Sequence, residues 1–78
     1  MITPEQIESY IRTGLEGAQV RVTGDGEHFE ALVVSEAFRG KGRVQRHQLV
    51  YAALGERMRG EIHALSMRTL TPEEAVNG

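Results

Sequence analysis

Seventy-eight residues leave room for one modest core, burying about 60–65% of the unfolded chain's surface, and little room for an enclosed active site. A composition of 40% hydrophobic and 26% charged residues excludes a disordered chain, and a net charge of −2 excludes a general nucleic-acid coat protein. The absence of cysteine excludes disulfides, a thiol nucleophile and a thiolate-only metal site.

One domain over residues 1–78 is expected. Thr3-Pro4-Glu5-Gln6 opens a first helix: Thr3 caps it, Pro4 suits the first helical position, and Gln6 completes a capping box. Ile7, Ile11 and Leu15 form its apolar stripe, and Gly14 and Gly17 end it. Ala18 to Thr23 alternates, with Ala18, Val20 and Val22 on one side, as a half-buried strand does. Gly24-Asp25-Gly26-Glu27 is turn chemistry, and His28 to Ser35 is a second, more apolar strand, so the pair reads as a β-hairpin. Glu36-Ala37-Phe38 predicts a single helical turn.

A basic, Gly-punctuated turn follows, Arg39-Gly40-Lys41-Gly42, and then the longest helical pattern of the chain. Val44, His47, Tyr51, Leu54 and Met58 recur at spacings of three and four and predict one buried stripe, with Leu49 projecting roughly opposite. This helix is expected to end near Arg59-Gly60. Glu61 to Arg68 alternates as a third strand, with His63, Leu65 and Met67 on one face. Thr71-Pro72-Glu73-Glu74 repeats the opening cap logic and starts a last short helix, fraying over Val76-Asn77-Gly78. Three strands cannot close a barrel. They predict an α+β fold: a small two-layer domain, a three-stranded sheet with the helices on one face. The first residues lack the basic and apolar regions of a signal peptide, and no apolar run approaches the roughly 18 residues of a membrane span, so a soluble, cytoplasmic protein without membrane contact is expected.

Several stretches together resemble the BolA family: GDGEHFEALVVSEAF at Gly24–Phe38, FRGKGRVQRHQLVYAAL at Phe38–Leu54, IHAL at Ile62–Leu65 and TPEE at Thr71–Glu74. The most specific parts are Phe-x-Gly followed by Val-x-Arg-His-x-x-Val-Tyr-x-x-Leu, and Ile-His-Ala-Leu. The resemblance implies an αββααβ fold with a small C-terminal helix, similar to a class II KH domain. It implies a partner of monothiol glutaredoxins that shares a [2Fe-2S] cluster with them, and some members are also reported to bind DNA or regulate transcription. The family's general ligand histidine falls on His63, and its second ligand, a His or Cys of the hairpin region, has His28 as its one candidate here. Two departures stand out. Members often carry a tryptophan beside the acidic pair of the Thr-Pro motif, where this chain reads Glu74-Ala75, and some have a longer hairpin loop with a further His or Cys. The short loop looks like the smaller bacterial branch.

Two histidines without cysteine cannot hold an iron–sulfur cluster alone. The missing thiolates point to the partner and to glutathione, with no cofactor expected on the isolated chain. For His28 a plain surface-turn role stays open beside the ligand role. His47, on the apolar stripe, reads as a core histidine donating to a backbone acceptor. In glutaredoxin docking, Arg39, Lys41 and Arg46 would meet acidic groups or glutathione carboxylates, with Leu49 as the outward apolar contact. The alternative is a KH-like nucleic-acid-binding regulator using Arg39, Lys41, Arg43 and Arg46. Gly40 and Gly42, one residue apart, are not the Gly-x-x-Gly loop of a KH domain, so DNA binding is expected to be weak at most. Asp25, Glu27 and His28 have neither a nucleophile nor oxyanion donors beside them, and no catalysis is expected. Alone, the chain is expected to be a monomer or weak homodimer.

Overall fold

A computed structural model describes residues 2–77. The order is α1 (Pro4–Gly14), β1 (Gln19–Gly24), β2 (Phe29–Val34), a 3-10 turn (Glu36–Phe38), α2 (Arg43–Leu54), a second 3-10 turn (Ile62–Ala64), β3 (Leu65–Leu70) and α3 (Pro72–Asn77). The three strands form one sheet in the order β1-β2-β3, the first pair antiparallel and the second parallel. This is the α+β arrangement expected from the sequence. Among the described residues, no helix is long and apolar enough to cross a membrane.

Alternation along the strands decides which side is covered. Val20 and Val22 of β1, Phe29, Ala31 and Val33 of β2, and Leu65 and Thr69 of β3 are buried, and the register sets them side by side on one face. Helices α1 and α2 close that face through Ile7, Ile11, Val50 and Leu54. Both parts of the Thr3–Gln6 capping box are formed at the start of α1. Further along, Gly14 lies so close to α2 that a Cβ there would come within 2.6 Å of the Ala53 Cα. Any side chain at position 14 would push the two helices apart.

Three expectations are corrected. Helix α2 ends at Leu54 rather than near Gly60, because Gly55 takes φ +60°, a conformation a helix cannot continue through. Successive three-residue turns follow, with Arg57 N–H donating to Leu54 O, Arg59 N–H to Glu56 O and Glu61 N–H to Met58 O. The buried face of α2 is also rotated from the expected stripe. Val50 and Leu54 are buried and Leu49 and Ala53 pack against the core, whereas Val44 and Tyr51 are exposed, 70% and 42% respectively. Leu49 is therefore not an outward leucine. Finally, β3 begins at Leu65, so His63 sits in the 3-10 turn before the strand and not in the strand itself. The ladder with β2 can start only where Phe29 meets Leu65. Helix α3 spans Pro72–Asn77, and Gly78, the last of the three residues expected to fray, lies outside the described residues.

Candidate functional site

The hairpin turn fixes the backbone of His28. The Asp25 carboxylate accepts from the N–H groups of Glu27 and His28, both at 2.9 Å, and these bonds hold its pKa below the usual value, that from His28 most strongly. The His28 ring is left exposed. His63 is likewise exposed, its turn closed by Ala64 N–H donating to Glu61 O and Leu65 N–H donating to Ile62 O. Because Phe29 pairs with Leu65 in parallel register, His28, one residue before β2, and His63, two residues before β3, lie at the same end of the sheet. Among the described residues, no group of three or more His, Asp or Glu side chains could hold a metal ion. Two imidazoles can supply only nitrogen donors, so a mixed donor set built on them would need its sulfur from elsewhere.

His47 is half-buried in the N-terminal half of α2, and its ring makes no hydrogen bond among the described residues, so the expected backbone acceptor is missing. Burial and then the charge of Arg43 lower its pKa, which favours the neutral imidazole.

The basic turn divides into bound and free cations. Arg46 is only 13% exposed in its side chain. Its Nε donates to Lys41 O at 2.7 Å, and NH1 donates to Thr69 O at 3.2 Å. Both terminal nitrogens grip Glu74, at 2.7 and 3.2 Å. Glu74 also closes the α3 capping box, accepting from Thr71 N–H at 2.8 Å while its own N–H donates to Thr71 Oγ1. Helix α3 buries no residue, so this polar junction is what ties it down. Arg39 is held by Glu36 and reaches Glu73 at 3.5 Å. Lys41, Arg43 and Arg68 have no carboxylate partner among the described residues.

The junction has a pH signature. Arg46, and secondarily the Thr71 N–H, hold the Glu74 carboxyl down to about 2 from its ordinary 4.5. A carboxyl depressed on folding stabilises the native state above its unfolded pKa, and that contribution is lost as pH falls through the folded value. Glu74→Gln is therefore expected to melt below the unsubstituted chain at pH 7, with the gap narrowing from about pH 4.5 toward 2 in thermal melts followed by circular dichroism. A constant gap across that range would contradict the assignment.

Lys41, Arg43, Arg46 and His47 line a cleft of about 390 Å³ whose far wall is Met67, Arg68 and Thr69 of β3. Arg68 belongs to this surface but escapes a sequence reading that groups basic residues by proximity in the chain, and Glu74, legible there only as part of a helix start, is the partner of Arg46. The alternating pattern of β3 was the available signal, since it sets Arg68 on the side opposite Leu65 and Thr69.

The family model for BolA-like protein matches residues 4–74. The chain is 40% identical over 70 residues to the acid stress protein IbaG of Escherichia coli K12, covering 88% of this chain and 83% of that one. It is 43% identical over 79 residues to protein BOLA2 of Arabidopsis thaliana, covering 95% and 84%. A solved structure of a bolA protein homologue from Coxiella burnetii superimposes with a TM-score of 0.88 at 47% identity, covering 97% of this chain and 99% of that one. With the sequence motifs, the sheet order and the flanking helices all in agreement, this chain belongs to the BolA-like family.

Proposed function

We propose that this chain is an adaptor that binds a monothiol glutaredoxin and shares with it a [2Fe-2S] cluster supported by glutathione. The observation that carries the reading is the placement of His28 and His63, two exposed imidazoles at one end of the sheet in a chain without a single thiol. When bound, the cluster supplies redox-active iron that can be passed on or sensed. The two histidines offer imidazole nitrogen donors, and the Asp25 turn and the Ile62–Ala64 turn fix the backbone that carries them. Lys41 and Arg43 remain free to meet the partner's carboxylates, whereas Arg46 serves mainly to shape the surface that presents them.

The nucleic-acid alternative is weakened by the ion pairs. Of Arg39, Lys41, Arg43 and Arg46, Arg39 and Arg46 are already engaged by carboxylates of the chain. Fewer phosphate contacts mean lower affinity and a shallower salt dependence.

The test is co-expression with a monothiol glutaredoxin followed by visible absorption and circular dichroism at matched iron content. His63→Ala is expected to keep the apo fold, since an exposed imidazole carries little core area, yet to abolish the mixed-ligand spectrum. His28→Ala should alter the spectrum, and His47→Ala should leave it recognisable. A spectrum from the His63 variant identical to that of the unsubstituted complex would sink the ligand assignment.

A further inference from the structure

The two edges of the sheet are treated differently. On β1 the outward backbone groups are occupied by α1: Val22 N–H donates to Glu8 at 2.8 Å, and Val20 O accepts from Arg12 at 3.0 Å. These contacts blunt that edge against another strand. On β3, Ser35 N–H donates to Leu70 O, so the backbone groups of Leu70 face β2. By the two-residue period those of Arg68 and Ser66 do the same, and those of Met67 and Thr69 face outward. Arg46 takes the Thr69 carbonyl. The Met67 N–H and C=O and the Thr69 N–H are left without a partner among the described residues, and they open into the basic cleft.

We propose that the β3 edge accepts an extended, acidic segment of a partner protein as a fourth strand. One residue of such a segment can exchange both backbone hydrogen bonds with Met67, and a neighbouring carbonyl can accept from Thr69 N–H. Charge selects its side chains. Lys41 and Arg43 approach from the α2 side, while Arg68 alternates with Met67 and Thr69 and so lies toward the open face of the sheet. Successive side chains of an added strand point to opposite faces, and each face meets an unpaired cation. A nucleic-acid strand fits less well, because the half-buried imidazole of His47 is the one ring lining the cleft and no Phe, Tyr or Trp stands beside it for successive bases to stack on. The edge needs no metal, so this inference stands apart from ligation by His28 and His63.

The test uses the isotopically labelled chain and a short capped peptide of valines and adjacent pairs of glutamates, so that carboxylates fall on both faces of the added strand, read by amide hydrogen exchange. At saturation the Met67 and Thr69 amides should exchange about tenfold more slowly or less, as newly bonded strand amides do. The same peptide N-methylated on every amide, which blocks both of its edges, and a valine–lysine counterpart, should give no protection. Reversing both charges, Arg43→Glu with Arg68→Glu, should weaken binding by about tenfold. The proposal is overturned if the N-methylated peptide binds equally well, which would mean charge without strand pairing. It is equally overturned if the glutamate peptide leaves both amides unchanged, or if an oligothymidylate protects them in its place.

Discussion

Leu54→Ala is expected to cost about 2–5 kcal/mol of folding free energy, while Val44→Ala on the same helix should change it by no more than about 0.5 kcal/mol. Leu54 is buried against the sheet and α1 closes over the same core, so truncation leaves a cavity that neighbours on rigid elements fill poorly. Val44 lies on the solvent side and loses almost nothing. A domain of this size has a total stability of roughly 4–12 kcal/mol, so the leucine variant should lose a large share of its resistance to urea. Urea titrations followed by far-ultraviolet circular dichroism measure both. Equal midpoints for the two variants would refute the face assignment of α2.

That face was the part of the fold least legible in the sequence. Apolar residues surround α2, at Val44, Leu49, Val50, Tyr51 and Leu54, so several stripes could be drawn. Including Met58 favoured the stripe through Val44 and Tyr51, but that spacing has meaning only if the helix reaches residue 58. Gly55 stops it, and Met58 reaches the core from the turns beyond. With the helix cut at Leu54, the phase is set by Val50 and Leu54 alone. The elements governed by local chemistry were easier. The Thr3 and Thr71 caps, the Asp25 turn and the alternation of β1 and β2 each rest on contacts between residues close in sequence.

The candidate site divides along the same line. His28 and His63 were marked out by family resemblance and not by any pattern of spacing; the parallel pairing of β2 with β3 is what brings them to one end of the sheet. Arg46 looked like one of four equivalent surface cations. Its distinct position follows from Thr69 and Glu74, residues distant in the chain that no local reading connects to it. Long-range register, rather than composition, separates a structural arginine from its free neighbours Lys41 and Arg43.

Phe38→Ala should be at least as damaging as the loss of Leu54, at about 3–5 kcal/mol. The ring is fully buried, and it also lies under the guanidinium of Arg46, whose central carbon is 5.9 Å from the ring centroid. Arg46 in turn holds Glu74 of α3, the Thr69 carbonyl of β3 and the Lys41 carbonyl of the basic turn. Phe38 is thus the floor of the junction as well as part of the core. Phe38→Leu separates the two roles, since it keeps most of the buried volume, at a cost below about 1.5 kcal/mol, but removes the π face. In a double-mutant cycle of Phe38→Leu with Arg46→Met, a coupling of about 0.5–2 kcal/mol is expected, read from urea midpoints at constant slope. No coupling would mean that the ring only fills space, and that Arg46 is positioned by its carbonyl and carboxylate partners alone.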